Sequence, residues 1–382
     1  MALMTLCFPA AAQETKPPSA LADPPRFLGA ASCSASMCHG GAGTDRQQFQ
    51  IWSKLDHHTK ARATLTMPRS ARFAEALGLG EATRNERCTS CHDPWQNLPS
   101  PRQGPKVNAA DLVSCETCHG PAEPWIRSHT RPDWSHADRV AAGLRDLKNL
   151  YVRANTCVAC HQNIDSDMLK AGHPELLFDL DGQSVAEPKH WRERRDWSGP
   201  QSWLVGQAVA LRESSWQLSR AGSPQEALAP RWAGLVWLMQ QVAKLEKIEA
   251  PSDTAGPDSY ARIREWSDRF ARVVAEAEWA EDKTWNVLFA LAQTRTEFSP
   301  EAAARPVQAR RAERLVLGLD RLLYALGGKK SFPHASQRLD ELFQDVQSLP
   351  DFDPALFSQH LAAFQEALGQ EKAARPLRAS TP

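Results

Sequence analysis

Eight of the nine cysteines fall in four pairs, Cys33/Cys38, Cys88/Cys91, Cys115/Cys118 and Cys157/Cys160, and a histidine directly follows each second cysteine: His39, His92, His119 and His161. Two thiols at this spacing can add to the two vinyl groups on one edge of a porphyrin. The adjacent imidazole then swings beneath the ring to bind iron, so C-x-x-C-H is the pattern that covalent haem attachment requires. Histidine makes up 12 of 382 residues, so four coincident Cys-His steps would arise by chance with a probability of about 10⁻⁶. The first pair, CSASMCH, has a longer insert that calls for a bulged loop but leaves the Cys38-His39 step intact. A zinc ribbon of Cys88, Cys91, Cys115 and Cys118 would leave His92 and His119 without a role. Four local disulfides would strain two-residue loops and ignore the histidines as well. The sequence therefore predicts four covalently bound haem c groups, with His39, His92, His119 and His161 as proximal ligands.

An iron held by one histidine either takes a second protein ligand and transfers electrons, or stays open and binds a small molecule. Six further histidines within the first 200 residues could fill four distal positions: His57, His58, His129, His136, His173 and His190. His57 and His58 are neighbours on a predicted helix (QQFQIWSKLDHHTKARATL), so only one can face a given ring. His129, in CHGPAEPWIRSH, is favoured over His136, which sits in a polar loop with Trp134. His173 is pinned between Gly172 and Pro174 ahead of an apolar, strand-like segment, which suits a fixed ligand, whereas His190 beside Trp191 reads equally as ligand or surface group. His334 and His360 lie in amphipathic surroundings that suit surface side chains, and Met37, Met67 and Met168 lack the context of thioether ligands.

The blocks FLGAASCSASMCHGG with IWSKLDHHTKARATL, NERCTSCHDP, LVSCETCHGPAEPWIRSH, and NTCVACHQN with AGHPELLFDL and PKHW together resemble the exported multihaem c-type cytochromes of the tetrahaem cytochrome c-554 type, over about residues 26 to 210. That resemblance implies His58, His129, His173 and His190 as the distal ligands, and it says nothing about residues 211–382.

The elements that must position these groups differ along the chain. Residues 26–200 read as a loop-rich tetrahaem domain with short helices after each Cys-His step, too irregular to pack an aliphatic core; the haems themselves would be the core. A body of this length has a radius of gyration of about 15–16 Å, so four macrocycles within it must be neighbours. Trp52, Trp95, Trp125, Trp134, Trp191 and Trp197 are expected to pave the rings. Residues 201–371 are free of cysteine and show helical periodicity. One helix is predicted over Trp203 to Leu218, and another after Pro230 carries Trp232, Leu235, Leu238, Val242 and Leu245. Further stripes follow at Ile263, Trp266 and Phe270, at Trp285 and Leu288, at Leu315, Leu319 and Leu322, and at Leu361 and Phe364. The fold class is thus mainly α, a loop-rich haem domain followed by a helical bundle.

Residues 1–12 read as a shortened signal peptide ending in Ala10-Ala11-Ala12, with Cys7 inside it; 13–25 form a Pro-rich linker and 372–382 a disordered tail. The expectation is export to the periplasm with no membrane span in the mature chain. With 45 basic and 45 acidic side chains, nothing points to nucleic acid. Four ferric haems would bring the charge to about −4, which favours a basic redox partner. Arg192, Arg194 and Arg195 suit haem propionates, a partner-facing patch or a solvated turn. The expected function is electron transfer between periplasmic or membrane-bound redox proteins; the alternative is an oxidoreductase with one open haem acting on a small nitrogen or sulfur compound.

Overall fold

The computed structural model describes residues 24–374 apart from 109, 110, 112, 195, 221–227, 247, 252–255 and 300. The expected signal peptide, all but the end of the expected linker, Arg195 and residues 375–382 lie outside the described residues. The protein is mainly α. In chain order the helices are α1 (Gln48–Leu55), α2 (Ala61–Leu65), α3 (Pro68–Ala76), α4 (Glu86–His92), α5 (Cys115–His119), α6 (His136–Ala141), α7 (Leu150–His161), α8 (Ser166–Lys170), α9 (Leu180–Ala186), α10 (Gly199–Arg220), α11 (Ala229–Leu245), α12 (Pro257–Glu276), α13 (Glu281–Ala292), α14 (Arg305–Ala325), α15 (Gly328–Ser331), α16 (Pro333–Asp345) and α17 (Pro354–Ala373).

The two halves start their helices by different means. Before residue 190 the helices are too short to be stable alone, and side-chain caps begin several of them: Asn85 accepts from the Arg87 amide at 3.0 Å, Asn149 from Val152 at 3.1 Å, Asp165 from Met168 at 2.9 Å and Asp179 from Gly182 at 3.1 Å. In the bundle, α11, α12, α14, α16 and α17 each carry proline in the first two positions, where the missing N–H costs nothing.

Packing follows the same division. Among the described residues, the haem-motif half has one small apolar cluster of Leu65, Ala74, Ala82 and Cys88. The large cluster belongs to the bundle, with Trp203, Trp232, Trp237, Leu288, Leu319 and Phe357 all buried, each contributing roughly 1.5–3 kcal/mol of gross burial energy. It reaches back to Leu150, Ala154 and Val158 of α7 and to Phe178 and Leu180. Helix α10 packs on α12, α7 and α9. The bundle therefore grips the helix that ends in the fourth Cys-His motif.

Short helices follow the Cys-His steps as expected, α1 after the first, a 3-10 turn at Pro94–Asn97 after the second, α6 after the third and α8 after the fourth; α4, α5 and α7 also end at a motif histidine. Three local expectations are corrected. The predicted continuous helix through His57 and His58 breaks at Asp56, whose extended backbone and carboxylate start a separate 3-10 turn, His57–Lys60. The strand-like stretch after His173 has no strand partner and runs extended into α9. At the C-terminus, α17 continues through Ala373, so the first two residues of the expected disordered tail are helical.

Candidate haem-ligand cluster

The eight motif cysteines are free of disulfides. Thiols from different motifs approach one another, Cys33 of the first with Cys115 of the third and Cys91 of the second with Cys160 of the fourth, so these motifs are neighbours in pairs that alternate along the chain. Burial pushes the Cys118 thiol up to about 12 and the Cys157 thiol up to about 11.

Each motif is tied down by groups that flank it. The Glu116 carboxylate inside CETCH is buried and accepts the backbone amides of Leu28 (2.9 Å), Gly29 (2.7 Å) and Ala122 (2.7 Å), which clamps the start of the domain onto the third motif. Asp111 accepts the amide of Ala30 at 3.0 Å. Arg145 donates to the carbonyls of Thr117 (2.7 Å) and Cys118 (3.1 Å), closing the end of α5. The fourth motif is held from the bundle: Tyr151 donates to Asp268 of α12 at 2.6 Å, and Arg212 of α10 donates to the same carboxylate at 2.8 Å and to Asn155 at 2.5 Å. None of these side chains was marked by motif reasoning; Glu116, inside the third motif, was the one with a positional hint.

The structure brings motif histidines from one part of the chain against candidate histidines from another. His39 and His129 lie with ring centres 6.2 Å apart and planes 26° from parallel. His161 and His58 are 6.0 Å apart, and His92 and His173 are 6.5 Å apart. His190 and His39 both lie near enough to His119 to lower its basicity, with no ring contact to His119 among the described residues. A metal–nitrogen bond of about 2 Å on each side, plus about 1 Å from each nitrogen to its ring centre, separates two imidazoles on opposite faces of one iron by about 6 Å. The three ring pairs meet that spacing, so the residues fit a haem iron between them.

Protonation and orientation agree with this. Burial holds His119 down at about 4 and lowers His92 and His161, which keeps all three neutral, the form that binds a metal. Seven of the eight candidate rings have Nδ1 occupied, leaving Nε2 as the free nitrogen. The partners are Gln48 for His39 (3.1 Å), Asp56 for His58 (3.0 Å), Thr64 and the Ala61 carbonyl for His92 (3.0 and 3.1 Å), and the Ile126 carbonyl for His129 (2.6 Å). They continue with Gln183 for His161 (3.3 Å) and the carbonyls of Pro174 and Pro188 for His173 (2.8 Å) and His190 (3.4 Å). Gln183 meets His161 with its Nε2 while its Oε1 is buried without a partner; half a turn of the amide lets Oε1 accept the Nδ1 proton. The His58 ring is pulled up to about 10 by hydrogen bonds to Asp56 and Glu187. Burial pushes the Asp56 carboxyl up, but the hydrogen bonds with His58 and Glu187 outweigh it and hold the group at about 2.

The other candidates are placed elsewhere. His136 has Nε2 tied to Asp146 at 2.8 Å, His57 is exposed, and His360 pairs with Asp345 at 2.8 Å. His334 is exposed. Met37 and Met67 are exposed, and Met168 is packed inside α8. Arg192 pairs with Asp45 and Arg194 with Asp196 at the surface. Of the six tryptophans expected beside the rings, Trp125 and Trp191 meet ligand candidates edge-on, at 5.6 Å from His129 and 5.2 Å from His190. Trp95 packs on Phe27, Trp52 donates to the Val113 carbonyl, and Trp197 lies under Arg153. Arg153 in turn holds Glu193 at 3.0 Å, which anchors the segment carrying His190 to α7.

Gly172 places His173. Its φ of +99° is open to glycine alone, and a Cβ there would sit 3.1 Å from the Phe73 ring. The turn lets the His173 amide bond back to the Met168 carbonyl at 2.9 Å and aims the ring at His92.

No curated protein and no solved structure matches this chain. Residues 32–120, which hold the first three cysteine pairs, match the family model described as cytochrome c554 and c-prime, so the chain carries a c-type cytochrome domain, whose cofactor is covalently bound haem c.

Proposed function

We propose that the protein is an exported tetrahaem cytochrome c that passes electrons between periplasmic or membrane-bound redox proteins. One observation supports this reading above the others: three of the four motif histidines have a second histidine at the ring separation of a bis-histidine iron. On this reading the pairs are His39 with His129, His92 with His173, His119 with His190 and His161 with His58. Bound haem supplies the one-electron couple. The chain's own residues would attach it through Cys33, Cys38, Cys88, Cys91, Cys115, Cys118, Cys157 and Cys160 and present an imidazole on each side, with burial favouring the neutral form of His92, His119 and His161. The neighbouring thiols of Cys33 with Cys115 and Cys91 with Cys160 support ring edges close enough for direct transfer between the first and third haems and between the second and fourth. Export rests on the Met1 to Gln13 segment of the sequence.

Intact-mass measurement of periplasmic material tests the count: four haems add about 2.5 kDa to the processed polypeptide, and a smaller increment refutes the tetrahaem reading. EPR of the ferric protein tests the ligation, with low-spin signals throughout. A second reading, one open iron that binds a small nitrogen or sulfur compound, is favoured at His119, where the partner histidine makes no ring contact among the described residues. A high-spin signal that moves on adding nitrite would select it.

A further inference from the structure

We propose that Asp56, seconded by Glu187, gives the iron position between His58 and His161 the lowest reduction potential of the set, so that it is the last to be reduced; the inference rests on the bis-histidine reading above. Its basis is the contrast between the Nδ1 partners. Six of the seven occupied Nδ1 atoms face neutral groups: backbone carbonyls for His129, His173 and His190, a carbonyl with a hydroxyl for His92, and amides for His39 and His161. His58 alone among them faces carboxylates, with Asp56 Oδ1 at 3.0 Å and Glu187 Oε1 at 3.5 Å.

Asp56 is built for the role. It is 4 % exposed, and the oxygen that meets the ring also accepts the His58 backbone amide at 2.7 Å, which fixes carboxylate and imidazole in one turn. A full negative charge hydrogen-bonded to Nδ1–H shifts electron density toward Nε2 and makes the ring a stronger donor. A stronger donor, with an anion buried nearby, stabilises the ferric over the ferrous state. A carbonyl or amide carries only a partial charge and does this weakly. Asp56 is therefore a positioning and tuning residue that acts through His58.

The test is an EPR-monitored redox titration of the full-length holoprotein as wild type, His58→Ala, Asp56→Asn, Glu187→Gln and Gln48→Glu. His58→Ala identifies the signal of that iron. The expectation is that this signal titrates lowest in wild type and that Asp56→Asn shifts its equilibrium about tenfold toward the ferrous form, about 59 mV for one electron, while the other signals hold. Glu187→Gln should shift it the same way by less, and it leaves the turn at Asp56 untouched. Gln48→Glu supplies an anionic acceptor to His39 and should move that iron's signal down instead. If all four signals stay low-spin and neither carboxylate variant moves the His58 signal, the tuning proposal is wrong and the tetrahaem reading survives. Conversion of that signal to high-spin in Asp56→Asn, with no shift in Glu187→Gln, would also overturn it, because Asp56 would then only hold the ligand. If His58→Ala changes no low-spin signal, the underlying ligand assignment falls and the inference with it.

Discussion

Asp268 is the hub through which the bundle holds the helix of the fourth Cys-His motif, and its removal has a defined pH signature. The carboxylate accepts from Tyr151 at 2.6 Å, from Arg212 at 2.8 Å and from Arg272 at 3.0 Å. Partial burial works against ionisation, but these hydrogen bonds outweigh it and hold the group at about 2, against an ordinary 3.8. That displacement corresponds to roughly 2 kcal/mol. With 27 % of the side chain exposed, solvent screening reduces it to about 1–2 kcal/mol. The folded-state value lies below the unfolded one, so the contribution is complete above about pH 4 and is lost as pH falls toward about 2. Asp268→Asn should therefore unfold at lower urea concentration than wild type by that amount at neutral pH, with the gap closing as the solution is acidified. Circular dichroism of both holoproteins across the range measures it. Acid displacement of haem ligands affects the two alike and cancels in the difference. A gap of constant size down to pH 2, or no gap at pH 7, would refute the assignment of this stabilisation to the carboxylate.

Other outcomes follow from the packing and the ligand geometry. Gly318→Ala puts a methyl 2.7 Å from the buried Trp203 ring, and should cost about 1–3 kcal/mol in thermal or urea unfolding. Asn149→Ala removes the cap of α7 and should cost about 1 kcal/mol by the same measurement. His173→Ala should convert one low-spin iron to high-spin in the ferric EPR spectrum, whereas His136→Ala, whose ring is occupied by Asp146, should leave the spectrum unchanged. Gly172→Ala should reproduce part of the His173→Ala spectrum, because the +99° backbone that aims His173 no longer forms without strain.

Much of this was legible in the chain itself. Thioether attachment is a local chemistry: two thiols and an imidazole must sit on a few consecutive residues to reach one edge of a macrocycle and the iron below it. The four Cys-His motifs therefore announce themselves at residues 33–39, 88–92, 115–119 and 157–161. The amphipathic stripes of the bundle are equally local, because helical periodicity is written along the strip of residues that turns inward. Leu315, Leu319 and Leu322 are spaced for one helix face and are all fully buried.

The histidines that face the motif histidines are another matter. His39 meets His129 and His92 meets His173 across 90 and 81 residues of chain. No spacing rule carries that distance; only the folded path brings the rings together. Asp146, which occupies Nε2 of His136 and so distinguishes it from His129, is likewise placed by the fold. The same holds for Glu187, which reaches His58 from 129 positions downstream, and for the Tyr151, Arg212 and Asp268 cluster that fastens α7 to the bundle. Attachment chemistry is encoded by neighbours in sequence, while coordination, electrostatic tuning and the bracing of the motifs depend on neighbours in space. A chain whose helices are short and whose interior is built around a cofactor leaves those spatial neighbours to the tertiary fold.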